Sequence, residues 1–275
     1  MVASNKVEVS LKRVRNHGKV SIEAMPMSCD TDLKQIPDPL PKRNIFFMLI
    51  GKPGSGKTNL MLNLLTLPSK FYHRKFDKVY IFSPSVHTMK AKLNIPKDQI
   101  RESLETFPAL YEELLEKKKR NAGHHACIVI DDLTHEFAKQ GNIPELIKAA
   151  QNRRHAGIAL IIITQKLNKV PSEVRAHVSD VCWFFSNSIQ EQDVLRKEFC
   201  DLKRDEWRSL VRQVFNDAHD FLYIKSDARM FKNFDYQIML GGSDTESSSS
   251  DEMSTDTDND SSDENSDDNK DKQEQ

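Results

Sequence analysis

Eight consecutive residues, Gly51-Lys52-Pro53-Gly54-Ser55-Gly56-Lys57-Thr58, satisfy the pattern G-x-x-x-x-G-K-[ST] at every fixed position. The chemistry of such a run is phosphate binding. Its glycines let successive backbone N–H groups converge on an anion at a helix N-terminus, where the helix dipole adds attraction. Lys57 is placed to reach the β- and γ-phosphates of a nucleoside triphosphate, and the Thr58 hydroxyl to ligate Mg²⁺. With Asn59 the phosphate cradle spans residues 51–59, and the expected ligands are ATP and Mg²⁺.

Binding alone does not cleave a phosphoanhydride; further groups are needed. Cys127-Ile-Val-Ile-Asp131-Asp132 is an apolar strand ending in two carboxylates. In P-loop ATPases an acidic side chain at such a place holds the Mg²⁺ ion, a role expected of Asp131. Asp132, one residue beyond, is placed to polarise the attacking water. Two neighbouring carboxylates repel each other, so the pair is costly without a cation to serve. Ile161-Ile-Ile-Thr164-Gln165 puts a polar amide at the end of a second apolar strand, where it could orient water at the γ-phosphate. Charge developing on that group also calls for an arginine, often from a neighbouring subunit. Arg153, Arg154 and Arg175 are the candidates.

The elements that must position these groups are legible as alternation. Apolar runs at 44–50, 78–82, 126–130, 158–164, 181–185 and 221–224 alternate with helical patterns. Helices are expected at 59–66, 98–120, 143–153, 172–178, 188–199 and 203–216. Near-continuous apolar strands separated by helices predict an α/β fold with a mostly parallel sheet covered on both faces. The run 221–224 reads as a late edge strand. The cluster Lys117–Arg120 at a helix C-terminus complements the helix dipole and is expected to remain solvated.

Charge divides the chain. Residues 243–275 hold 13 acidic and 2 basic side chains, a net of −11; with −1 on the whole chain, residues 1–242 carry +10. The expected organisation is an irregular Pro-containing arm at 1–40, a P-loop ATPase domain at 41–242, and a disordered acidic tail at 243–275, too poor in apolar groups to fold. The basic body suits a polyanionic partner. Four scattered cysteines fit neither a disulfide framework nor a zinc site and suit a reducing compartment. No apolar run has the ~20 residues needed to span a membrane, and residues 1–20 lack a hydrophobic signal region, so secretion is not expected.

GTPases are disfavoured. Leu167-Asn168-Lys169-Val170 continues to Pro171 rather than completing N-K-x-D, and no D-x-x-G follows Asp131. The order of motifs, from Gly51–Thr58 through Ser83-Pro84, Asp131-Asp132, Arg153-Arg154-His155, Gln165 and Val170-Pro171 to Trp183-Phe184-Phe185, resembles the poxvirus-type genome-packaging ATPases. These serve large double-stranded DNA viruses and virus-like transposons, within the FtsK/HerA-like group of DNA-pumping ATPases. The resemblance covers residues 40–225. It implies a RecA-like P-loop fold with an additional strand, and it carries the family's glutamine onto Gln165. It further implies a homo-oligomeric ring, hexameric or pentameric, around double-stranded DNA, with a capsid or portal component as partner and some association with the virion. The trans-acting arginine carries onto Arg154 first and Arg175 second. Other DNA-translocating ATPases, such as helicases or DNA-transfer motors, would share the catalytic parts, and a slowly hydrolysing NTP-binding regulator would share the cradle.

Overall fold

The structure, a computed structural model, describes residues 32–43, 45–68, 70–85, 95–137 and 142–240. The expected acidic tail, most of the N-terminal arm and Cys29 lie outside the described residues. Two compact units divide the chain, Met1–Met239 and Leu240–Gln275, and every strand and helix described belongs to the first.

The strands are β1 (Phe46–Ile50), β2 (Lys78–Phe82), β3 (Ile100–Arg101), β4 (Ala126–Asp131), β5 (Ile158–Thr164), β6 (Asp180–Phe184), β7 (Phe221–Lys225), β8 (Met230–Lys232) and β9 (Tyr236–Ile238). The helices are α1 (Lys57–Thr66), α2 (Phe107–Arg120), α3 (Asn142–Ala156), α4 (Ser172–Arg175), α5 (Ile189–Leu195) and α6 (Arg204–Val214). One sheet runs β3-β2-β4-β5-β1-β6-β7-β8-β9. Pairings from β3 to β6 are parallel, and those from β6 to β9 antiparallel. Strand β5 is interposed between β1, which leads into the glycine turn, and β4, which ends in Asp131. This is the additional-strand arrangement.

Alternation along the buried strands feeds two cores. Phe46, Met48, Ile50, Ile128, Ile130, Leu160 and Ile162 pack on one face against Leu110, Leu114, Leu146, Ala150, Trp207 and Leu210 of α2, α3 and α6. Phe47, Leu49, Cys127, Val129, Ile161 and Ile163 pack on the other against Met61, Leu64 and Leu65 of α1. Side chains of successive strand residues point to opposite faces, so a run apolar at every position must be covered twice. Ile36 and Leu40, from the segment read as an irregular arm, are buried in the second core.

Several expectations need correcting. The helix expected at 98–120 begins only at Phe107; Pro108 lies in its first turn, where a missing N–H costs nothing, and the residues before it form the short strand β3. The stretch 172–178 holds a single helical turn, Ser172–Arg175. The helix expected at 188–199 is present: α5 continues without a break into Arg196–Cys200, where it widens to π geometry and the Asp201 N–H donates to the Arg196 carbonyl. Strand β7 is interior rather than an edge, because β8 and β9 continue the sheet beyond it. Those two strands are three residues each, too short to show a period. The Lys117–Arg120 cluster is partly tied down: Lys119 pairs with Glu116 at 2.6 Å, Lys117 pairs with Glu113, and Lys118 is buried against the Ala122 and His124 carbonyls.

Candidate active site

The carboxyl ends of β4, β5 and β1 lie side by side, with Asp131 in register with Ile163 and Thr164 with Ile50. Strands stand ~4.8 Å apart, so the glycine turn and the acidic pair are separated by roughly 10 Å, the width of one intervening strand. A triphosphate's terminal groups fit in that gap.

The turn itself depends on its glycines. Gly54 has φ 76° and Gly56 φ 105°, left-handed values that side chains resist. Gly51 is held against the sheet edge, donating to the Thr164 carbonyl at 3.2 Å, and a Cβ on it would stand 2.6 Å from Cβ of Phe184. Lys57 is buried and donates to the Gly51 and Lys52 carbonyls at 2.7 and 2.8 Å. Burial lowers its pKa, while Asp131 and Asp132 oppose that effect. Two of the ammonium's three N–H donors thus brace the loop. Ser55 Oγ is buried without a hydrogen-bond partner, a group poised for an incoming acceptor.

Asp131 is buried beneath the edge of β4, and Ser83 donates to its Oδ2 at 3.3 Å. Burial pushes its carboxyl up to about 6; Asp132 adds to the rise, and Ser83 and Lys57 oppose it. Asp132 stands beyond the strand in a left-handed conformation, φ 55°, with its N–H donating to the Ile163 carbonyl. Aspartate is among the few residues that accept this backbone. Gln165 Nε2 donates to both Asp132 oxygens, at 3.0 Å each.

The structure therefore brings together Lys57, Asp131, Asp132 and Gln165, with Thr58 next to Lys57 in the first turn of α1, and it does not bring the candidate arginines to them within one subunit. Arg153 and Arg154 end α3 at the amino end of β5, ~23 Å of strand from its carboxyl end. Arg153 lies 5.8 Å over the Phe46 ring and donates to the Ala150 carbonyl. Arg175, before the amino end of β6, forks onto Glu198 at 2.8 and 2.6 Å and donates to the Val170 carbonyl.

Two residues at the site escaped the reading of motifs. Ser83 was visible only as part of Ser83-Pro84; its place beside Asp131 follows from the β2–β4 register, which sets Phe82 against Ile130. His219, whose Nδ1 lies 3.1 Å from the Ser55 carbonyl, comes from 164 residues away and carries no local signal. A carbonyl only accepts, so Nδ1 bears the proton.

The model of the Poxvirus A32 protein family matches residues 37–220, which contain the whole of this constellation. The chain belongs to the Poxvirus A32 protein family. Within that setting, the DNA packaging protein OPG160 of Variola virus is 22% identical over 193 residues, covering 68% of this chain and 70% of the relative. The genome packaging NTPase B204 of Sulfolobus turreted icosahedral virus 2, solved with sulfate, shares the fold with a TM-score of 0.53 at 17% identity, over 72% of this chain and 98% of that one. EssC ATPases 2 and 3 of Geobacillus thermodenitrificans share it with a TM-score of 0.52 at 16% identity, over 67% of this chain and 38% of that one. The A32-family sheet is thus a fold also present in a bacterial protein.

Proposed function

We propose that this A32-family chain is an ATP-driven motor that packages double-stranded DNA into a viral capsid. The observation that carries the hydrolytic part is the Gln165–Asp132 contact at the end of β5, between the glycine turn and Asp131. Membership of the family, and the description of the Variola relative as a DNA packaging protein, support the packaging part.

The phosphates of ATP lie over the backbone amides of residues 54–59, and Lys57 turns a donor to the terminal phosphates. The Thr58 hydroxyl and the Asp131 carboxylate form an all-oxygen donor set, which suits Mg²⁺ with its retained waters. When bound, that ion neutralises charge on the β- and γ-phosphoryl oxygens. Asp132 accepts the proton of the attacking water, and Gln165 fixes the direction of its carboxylate. An arginine from the next copy in a homo-oligomeric ring completes the site, Arg154 first and Arg175 second; the fork onto Glu198 would have to release Arg175. The +10 carried by residues 1–242 suits a channel around duplex DNA, which presents a phosphate charge every ~1.7 Å. The work is done at a viral assembly site inside the host, in contact with a capsid or portal component.

The test is ATP turnover with and without duplex DNA at two salt concentrations, for the parent chain and for Asp132→Asn. DNA should stimulate the parent, with the stimulation falling steeply at the higher salt. Asp132→Asn should retain ATP binding and lose roughly 10²-fold in turnover, the scale of a positioned general base. A response flat in DNA refutes the motor; unchanged turnover removes Asp132 from the mechanism.

A further inference from the structure

Beside the glycine turn lies a cleft of about 600 Å³ whose lining includes none of Asp131, Asp132 and Gln165. Its size falls within the roughly 300–1,000 Å³ of ordinary ligand pockets. Gly54, Gly56, Lys57 and Thr58 form its inner end, so it is continuous with the phosphate cradle. From there it follows α1 past Asn59 and Asn63, which are four apart and share one face of the helix. The opposite wall is aromatic. Phe184 and Phe221 pack with ring centroids 5.3 Å apart and are almost wholly buried, so they make a floor rather than a face. His219 is exposed at the rim, with Nδ1 3.3 Å from where a Cβ on Gly56 would stand.

His219 is built into this place from two directions. Its Nδ1–H donates to the Ser55 carbonyl of the cradle. The next residue, Asp220, accepts from the N–H groups of Asn216 and Asp217, closing the turn on which His219 sits at φ 71°. An exposed imidazole is thereby held in a left-handed conformation against the phosphate loop.

We propose that this cleft receives the base and ribose of the nucleoside triphosphate, with the His219 ring as the face on which the base stacks and Asn59 and Asn63 as the polar wall. The assignment deepens, and rests on, the reading of residues 51–59 as an ATP cradle. Direction supports it. Once the terminal phosphates lie between Lys57 and Asp131, the rest of the nucleotide must leave the loop over the first turn of α1. Gly56, Thr58 and Asn59, which open the cleft, stand there.

The experiment compares two ligands on the full chain. Affinities for ATP and for tripolyphosphate, both with Mg²⁺, are measured by calorimetry for the parent and for His219→Asn. Asparagine accepts the left-handed backbone but has no ring. Stacking of a base on an aromatic side chain predicts a loss of about 10-fold for ATP, with tripolyphosphate unchanged. Equal losses for both ligands would mean that His219 only braces the loop and would overturn the proposal, as would no loss for either. A parent chain that binds neither ligand would overturn it together with the cradle reading.

Discussion

The turn that carries His219 hangs on Asp220, and replacing Asp220 by Ala should measure how firmly. The carboxylate is almost fully buried and accepts from Asn233 Nδ2 at 2.6 Å, from the Asn216 and Asp217 N–H groups at 3.1 and 2.8 Å, and from Lys232 at 3.0 Å. Burial alone would raise its pKa, but these donors outweigh burial and hold it down to about 2, against 3.8 for an ordinary aspartate. Each tenfold weakening of proton affinity corresponds to about 1.4 kcal/mol of preference for the charged form, so the folded state gains about 2 kcal/mol at neutral pH. A depressed pKa gives stability that is fully present above the unfolded value. It is lost as pH falls through the folded one. The gap between parent and Asp220→Ala should therefore be nearly constant from pH 7 to about 4 and drop to roughly half by pH 3. Denaturant titrations at pH 7, 4 and 3 read this directly, and at neutral pH the melting temperature should fall by roughly 4–8 °C for a body of this size. A gap that persists undiminished at pH 3 would show that the loss is one of packing, and the electrostatic argument for the turn would fail.

Two more substitutions probe the site. Ser83→Ala removes the hydroxyl that donates to Asp131 and should raise the Mg²⁺ concentration needed for half-maximal turnover by about 10-fold, as loss of a supporting contact commonly does. An unchanged Mg²⁺ titration would leave Ser83 without a role there. Gly56→Ala must adopt φ 105° and bring a Cβ to 3.3 Å from His219 Nδ1. It should cost at least about 10-fold in ATP affinity, since left-handed backbone alone costs roughly 1–2 kcal/mol for a residue with a Cβ; equal affinity would mean the loop is not as tightly set as its angles imply.

Features that depend on neighbours along the chain were legible before any tertiary contact was known. The glycine turn is a matter of backbone freedom and donor spacing within eight residues, so Gly51–Thr58 was readable outright. Strands β1, β4 and β5 were readable because burial on both faces demands an apolar residue at nearly every position. From these, the places of Asp131, Asp132 and Gln165 at strand ends followed, along with the parallel α/β sheet. Which strand ends adjoin was settled only by folding. The insertion of β5 between β1 and β4 puts Gln165 against Asp132, and the β2–β4 register puts Ser83 against Asp131. Folding also set Arg153, Arg154 and Arg175 away from their own subunit's cradle, extended the sheet beyond β7 with β8 and β9, and closed His219 on Ser55. Those outcomes rest on contacts between segments tens to more than a hundred residues apart, made by single side chains that impose no period on the sequence around them.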